Sequence, residues 1–100
     1  MHKFGEVILA QIQFIDTLEI KSRPALVLFE EEGNIIVAGI TSNLNRSGIS
    51  LTKKEGAIKD SIIRLNYIFT ISESMIKKML FEISNQKKKQ IIQEITKRLK

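Results

Sequence analysis

The sequence predicts a small, mainly β domain: a barrel of short strands followed by a C-terminal helix. Short runs rich in β-branched and apolar residues, separated by turn residues, fill residues 1–71, and a helical pattern appears only near the end. Many short strands between turn signals favour a barrel over alternating strands and helices. We expect one domain over residues 1–100, with the barrel in about 4–71 and a helical or strand part in about 72–100.

The first three strands are predicted from apolar runs and the turns between them. Residues 5–14, GEVILAQIQF, form a strand whose start should be buried on both faces. After a polar loop, Pro24 should open the second strand, over residues 24–29, because its missing N–H breaks no ladder bond there. Residues 31–34 predict a hairpin turn, since Gly33 and Asn34 readily adopt positive φ. The third strand follows over residues 35–40.

The second half of the chain predicts two more strands and two helices. A polar loop over 41–48 precedes a short strand at 49–51, and a turn over 53–56 precedes a long strand at 61–71 with a bend near Asn66. Ser72 should cap a short helix over 73–78, and residues 80–83 fit helix or strand. A final helix should begin after Ser84 or Asn85, with an apolar stripe formed by Ile91, Ile92, Ile95 and Leu99.

The positive charge lies at the C-terminal end. Residues 1–71 hold eight basic and eight acidic residues, so their charges cancel. Residues 72–100 hold eight basic and three acidic residues and therefore account for the whole net charge of +5. Such an end suits a polyanion or an acidic protein partner, or forms an ordinary solvated helix face. Lys87, Lys88 and Lys89 fall in the first helical turn, where the macrodipole disfavours cations, which marks either a partner surface or neutral drift.

Composition excludes several classes of site. The chain has no cysteine, which excludes disulfides and cysteine zinc sites and suits the reducing cytoplasm. No apolar run approaches the roughly 20 residues of a membrane span, and Glu6 comes too early for a signal peptide. His2 is the only histidine, at a terminus expected to be loose, so we expect neither metal nor cofactor. Glycine-rich phosphate loops are absent, leaving Arg, Thr, Ser and Asn, which bind phosphates and oxyanions.

Three blocks of the sequence resemble one known family. KSRPALVL at 21–28, VAGITSN at 37–43 and SIIRLNYIFTI at 61–71 resemble, in order and spacing, the MazF/PemK (Kid) toxins of toxin–antitoxin systems. The opening strand and the helical ending are similar too. The resemblance implies an SH3-like barrel with a C-terminal helix, a homodimer, and metal-free cleavage of single-stranded RNA, mostly mRNA. It also implies products with a 2′,3′-cyclic phosphate and a 5′-hydroxyl, and an antitoxin whose acidic tail blocks the groove.

The resemblance also implies which residues act on the RNA. The family arginine before proline corresponds to Arg23, its Thr-Ser pair to Thr41 and Ser42, and its later arginine to Arg64. The two arginines would neutralise the charge of the phosphorane, and a hydroxyl would bind a non-bridging oxygen. Arginine is a poor proton donor, so we expect it to act electrostatically. The local sequence also allows ordinary roles, an ion pair of Arg23 with a nearby glutamate and a simple loop start at the Thr-Ser pair.

The chain departs from the family at Asn66, where the family has an aspartate. An amide cannot accept the 2′-proton as a carboxylate does, so we expect Glu19, in the first long loop, to be the base. Asn66 would then contact RNA or shape a bend. Tyr67 either stacks on a base or lies, like Phe69, in a core or dimer interface. Arg46 either lines the RNA groove or is a solvated loop charge.

Two other functions remain compatible with the sequence. The chain could be a family relative that binds RNA or a protein partner without catalysis, with Asn66 as the cause of the lost activity. It could also resemble family members that poison DNA gyrase, but those depend on an apolar, tryptophan-containing C-terminus. This chain has no tryptophan and ends in KRLK, which disfavours the gyrase alternative.

Overall fold

One antiparallel sheet and one α-helix make up the fold of the described residues. The computed structural model describes residues 1–13 and 20–100. The sheet has the order β4-β5-β3-β2-β1-β6, with every neighbouring pair antiparallel. The sheet forms a six-stranded half-barrel, which confirms the predicted fold class, a mainly β, SH3-like barrel with a C-terminal helix. The elements are β1 Glu6–Gln13, β2 Ile20–Glu31, β3 Asn34–Thr41, β4 Ile49–Leu51, β5 Ser61–Ser72, β6 Ile76–Glu82 and α1 Asn85–Arg98, with 3₁₀ turns at Lys53–Glu55 and Glu73–Met75.

The curved sheet is buried on both faces. One face packs a core of aliphatic side chains that includes Leu26 and Ile63 against Ile91 of α1. The other face packs Val27 and Val37 in a second core. Successive residues of β1, Val7 and Ile8, are buried in the first and second core respectively. This confirms the prediction that the first strand begins buried on both sides, since neighbouring residues of a strand point to opposite faces.

The β2–β3 hairpin turns on two residues with positive φ. Glu32 has φ 52° and Gly33 has φ 79°, as a two-residue turn that matches the strand twist requires. Asn34 is instead the first residue of β3 and pairs with Glu31. The turn therefore lies where the sequence predicted it, but the residue that adopts positive φ together with Gly33 is Glu32 and not Asn34.

A bulge interrupts β5 near Asn66, confirming the predicted bend. Ala38 of β3 pairs with Ile68, but the next residue, Gly39, pairs with Arg64. Residues 65–67 are therefore extra on β5 and have no partner on β3. Leu65 is buried in the first core, and the two residues after it are exposed. A bulge of this kind bends a strand and redirects its side chains.

The predicted helix over 73–78 is wrong. A 3₁₀ turn covers Glu73–Met75, and β6 begins at Ile76 and pairs with β1. Sheet pairing overrides the helical spacing of Met75, Ile76 and Met79 because it satisfies the backbone groups along the edge of β1. Two register irregularities in the β1–β6 ladder accommodate the uneven apolar pattern. Residues 80–82, which fitted helix or strand, lie in the strand.

Helix α1 starts as predicted but buries less of its stripe. The Ser84 side chain is the N-cap, and its Oγ accepts a hydrogen bond from the Lys87 N–H at 3.1 Å. Ile91 is buried and Ile95 is partly buried against the first core. Ile92 and Leu99 are 54% and 80% exposed. The predicted four-residue stripe is therefore wrong for Ile92 and Leu99, because the sheet covers only a narrow strip of the helix.

Two lysines of the first helical turn tie α1 to the barrel. Lys87 Nζ lies 3.1 Å from Glu55 Oε2 and donates a hydrogen bond to the Ser50 carbonyl at 2.7 Å. Lys88 Nζ lies 2.5 Å from Glu82 Oε2. These ion pairs offset the unfavourable position of both cations at the positive end of the helix dipole. Lys87 and Lys88 are thus engaged inside the domain, and Lys89 alone of the three is exposed.

The N-terminus is anchored, so the expectation of a loose terminus at His2 is wrong. The His2 ring contacts Glu6 Oε1 through Nδ1 at 2.7 Å and Glu73 Oε2 through Nε2 at 3.1 Å. Its backbone N–H donates to Glu30 Oε1 at 2.8 Å. The hydrogen bond to Glu6, outweighing partial burial and helped by Glu73, raises the pKa of His2 above its ordinary value. Three carboxylates thus hold residue 2 against the sheet.

Replacing Lys87 tests the docking of α1. We expect Lys87→Met to lower the free energy of unfolding by about 1–2 kcal/mol, because it leaves Glu55 and the Ser50 carbonyl without their cation. Lys89→Met, on an exposed neighbour, is the matched control and should change that free energy by less than about 0.5 kcal/mol. Urea unfolding measures the free energy of unfolding of both variants. Equal effects of the two substitutions would contradict a stabilising role for the Lys87 contacts.

The loss of stability caused by Lys87→Met should depend on pH in a definite direction. Although burial opposes the shift, the Thr52 amide and Lys87 lower the pKa of Glu55 below its ordinary value of 4.5. A lowered folded-state pKa contributes stability above the unfolded-state value, and the contribution disappears as the pH falls through the folded-state value. The difference between Lys87→Met and the unmodified chain should therefore shrink as the pH falls below about 4.5.

Candidate active site

Two pockets meet where β2 and β3 lie side by side. The first, which we call the arginine pocket, has a volume of about 170 Å³ and is lined by Arg23, Thr41, Arg64 and Tyr67. The second, the apolar pocket, has a volume of about 240 Å³ and a mainly aliphatic wall. Arg23, Pro24 and Ile40 line both. A ligand in one pocket therefore lies next to the other.

Strand register brings the two arginines and Thr41 to the same pocket. Gly39 pairs with Ala25 on one side and with Arg64 on the other, so these three positions lie in one row across the sheet. Arg23 lies two residues before Ala25, and Thr41 lies two residues after Gly39. Residues two apart on a strand share a face, so both side chains point to the face that carries Arg64.

Arg64 is a partly buried cation, and none of the described residues forms an ion pair with it. Its Nε is buried and has no hydrogen-bond partner in the described part of the chain. Its guanidinium carbon lies 5.4 Å from the centre of the Tyr67 ring. Leaving a buried donor unpaired is costly, and a bound anion would remove that cost. The arrangement is therefore suited to an anionic ligand such as a phosphate.

Pro24 lies inside β2 and not at its first position, because β2 begins at Ile20. Pro24 pairs with Leu9 of β1, and pairing with β3 starts only at Ala25. Proline is thus tolerated because it stands where the second ladder has not yet begun. Its fixed φ stiffens the backbone directly after Arg23, which is exposed at the rim of both pockets.

Thr41, the last residue of β3, and Ser42, which follows the strand, line different pockets. Thr41 lines the arginine pocket, and Ser42 lines the apolar one. The Thr41 Oγ1 accepts a hydrogen bond from the Asn43 N–H at 3.1 Å. Its own O–H proton remains available to donate to a ligand oxygen. Thr41 is thus oriented by the loop that follows it.

Comparison with family models places this chain among known proteins. The model described as "PemK-like, MazF-like toxin of type II toxin-antitoxin system" matches residues 3–99. The chain belongs to this toxin family. No curated protein matches it in a search of such sequences. Apart from Ile12, every residue that lines the toxin's arginine pocket comes from the three sequence blocks on which the resemblance rests.

Two other predicted site residues lie away from the pockets. Asn66 is exposed within the β5 bulge and lines neither pocket. Arg46 is exposed in the loop over 42–48, where its N–H donates to the Asn43 carbonyl at 3.2 Å. Both positions depend on backbone irregularities, a bulge and a turn, that the sequence did not define in enough detail.

None of the described carboxylates, aspartate or glutamate, is part of either pocket. Glu19, the predicted base, lies outside the described residues. Within the described ranges, no group of three or more His, Asp or Glu residues is arranged to hold a metal ion. In the same part of the chain, none of the helices has the length and apolarity that a membrane span requires.

Sequence reasoning missed one residue of the arginine pocket that carries no functional group. Gly39 lies in the middle of β3 and lines the pocket beneath Tyr67. A glycine inside an otherwise β-branched strand is a signal for close approach of another group. The stretch VAGIT carries that signal, but sequence alone does not show which side chain approaches.

Binding of a phosphate ligand tests the arginine pocket directly. We expect uridine 3′-monophosphate to shift the amide NMR signals of Gly39 and Thr41, and Arg64→Gln to weaken its binding about tenfold or more. Arg98→Gln, an arginine at the far end of α1, is the matched control and should leave the affinity unchanged. Equal weakening by both variants would show a general charge effect and contradict a site at Arg64.

Proposed function

We propose that this toxin is an endoribonuclease that cleaves single-stranded RNA without a metal ion. One observation carries the proposal: Arg23, Thr41 and Arg64 come from three strands and line one pocket, and no described carboxylate lines that pocket with them. Such a site favours a substrate that brings its own negative charge. The phosphodiester of RNA is the substrate of that kind that the toxin family suggests.

Cleavage would proceed by attack of the ribose 2′-oxygen on the neighbouring phosphorus. As the 2′-oxygen–phosphorus bond forms, the bond to the 5′-oxygen breaks, which leaves a 2′,3′-cyclic phosphate and a 5′-hydroxyl. Arg23 and Arg64 stabilise the additional negative charge on the phosphorane, and the Thr41 O–H donates to a non-bridging oxygen. Holding the phosphate between three groups also favours the in-line geometry that the attack needs.

A proton must leave the 2′-hydroxyl and another must reach the departing 5′-oxygen. We assign the first role to Glu19, since Asn66 is neutral and does not line the pocket. The second proton comes from water, because arginine holds its proton too tightly to act as an acid. Both arginines then stay charged throughout the reaction, as electrostatic stabilisation requires.

The partners of the proposed nuclease follow from its family and its surface. Toxins of type II systems are paired with antitoxins, and an acidic antitoxin tail would suit a chain of net charge +5. A homodimer in the cytoplasm would cover apolar side chains such as Ile92 and Leu99, which α1 leaves exposed. Ser42, Arg46 and Asn66 are proposed to contact RNA beyond the scissile phosphate.

A second candidate function is RNA binding without cleavage. It is favoured by Asn66, which replaces a family aspartate, and by the absence of a described carboxylate in the pocket. The two candidates share the phosphate site and differ only in the chemical step. Product analysis therefore separates them where binding measurements do not.

Cleavage of RNA in the absence of metal tests the proposed function. We expect the purified toxin to cut a long unstructured RNA in EDTA and to leave 2′,3′-cyclic phosphate ends. Arg23→Ala should lower the rate by about 100-fold, since one oxyanion-stabilising donor contributes about 10²–10³ to catalysis. Arg98→Ala is the control and should cut at the unmodified rate. Binding without any cleavage at high enzyme concentration would instead establish the second candidate.

The proposed base has its own test. We expect Glu19→Gln to lower the cleavage rate by about 10²–10⁴-fold and to remove the acid limb of the pH–rate profile, because an amide does not take up the 2′-proton. RNA binding should persist, which separates loss of the base from loss of the fold. An unchanged rate and an unchanged pH profile would show that another group is the base.

A further inference from the structure

We infer that Tyr67 is a positioning residue, which holds the Arg64 guanidinium in the arginine pocket, and that Gly39 is glycine to make room for its ring. The inference rests on the proposed function, in which Arg64 acts on the phosphate. In this role the Tyr67 ring contacts a cation of the protein itself. The sequence had left two other roles open for Tyr67, stacking on an RNA base or packing in a core or dimer interface.

The β5 bulge is what brings the two side chains together. Arg64 and Tyr67 are three residues apart, and on a regular strand they would point to opposite faces. Because residues 65–67 are extra between the pairs Gly39–Arg64 and Ala38–Ile68, both side chains line the same pocket. The guanidinium carbon then lies 5.4 Å from the ring centre, within the range of a cation–π contact.

Gly39 supplies the space under the ring. A Cβ atom placed on Gly39 would lie 2.6 Å from the Tyr67 Cδ2 and 3.2 Å from its Cε2, closer than packed atoms tolerate. The φ angle of Gly39 is not positive, so space and not backbone freedom requires glycine. The ring therefore rests on the bare backbone of β3 at Gly39, the residue that pairs with Arg64.

Phe69 holds the ring from a second direction. The Tyr67 and Phe69 ring centres lie 4.9 Å apart at an interplanar angle of 35°. Phe69 is itself packed against the second core, so the pair links the pocket to the rigid part of the sheet. Tyr67 remains 41% exposed, which leaves part of the ring open to solvent at the pocket mouth.

An aromatic partner suits the proposed role of Arg64 better than a carboxylate would. A carboxylate would hold the guanidinium by forming the bidentate hydrogen bonds that a phosphate needs. A ring face holds the cation without using those N–H donors, in agreement with the Nε, which has no hydrogen-bond partner among the described residues. The site is thus arranged before the substrate arrives, which lowers the cost of ordering a long side chain in the transition state.

Single-turnover kinetics on RNA distinguish positioning from base stacking. If Tyr67 positions Arg64, Tyr67→Leu should lower the rate constant of the chemical step by about 10–100-fold and change the RNA affinity less than threefold. Tyr67→Phe keeps the ring and should retain at least a third of the rate. Gly39→Ala should lower the same rate constant by displacing the ring, and adding it to Tyr67→Leu should cost little more. Loss of affinity with an unchanged rate constant for Tyr67→Leu would overturn the inference in favour of base stacking.

A second readout is independent of RNA cleavage. The buried Nε–H of Arg64 should give a slowly exchanging ¹⁵N–¹H NMR signal in the unmodified toxin and in Tyr67→Phe, and a fast-exchanging or absent one in Tyr67→Leu. Thermal unfolding of each variant confirms that the fold is intact. If the toxin cuts no RNA but this pattern holds, the proposed function fails and the positioning contact stands. If the Arg64 signal is the same in all three proteins, the positioning contact fails whatever the activity.

Discussion

The three-residue bulge in β5 is the constraint on which the candidate site depends. It shifts the pairing of β3 with β5, so that Gly39 stands opposite Arg64 and the Tyr67 ring turns toward the same face. Regular pairing of β3 with β5 before and after residues 65–67 holds the two ends of the bulge in place. With a regular β5, either Arg64 or Tyr67 would point into the other face of the sheet, and the pocket would lose one wall.

Charge is distributed differently over the structural and the functional parts of the chain. Lys87 and Lys88 contact Glu55 and Glu82, and these pairs tie the helix to the barrel. Arg64, in contrast, lies against an aromatic ring, and none of the described residues pairs with it as an anion. A cation that is held but not neutralised is what a phosphate site requires, because the substrate supplies the missing charge.

The sequence predicted most strands, because alternation and turn residues are local patterns, and the family resemblance pointed to Arg23, Thr41 and Arg64, which line the arginine pocket. The sequence did not predict β6, since the gain from pairing with β1 is a tertiary effect that overrides helical spacing. The role of Gly39 could not be foreseen, because which side chain lies over a glycine depends on the register of the bulge.

A crystal structure with a non-cleavable RNA tests the account most directly. In such an RNA a 2′-O-methyl group at the scissile position blocks attack and leaves the phosphate intact. The account predicts that the scissile phosphate lies in the arginine pocket, within hydrogen-bond distance of Arg23, Thr41 and Arg64, with the Tyr67 ring still against the Arg64 guanidinium. A phosphate bound instead along the exposed lysines of α1, with the arginine pocket empty, would contradict it.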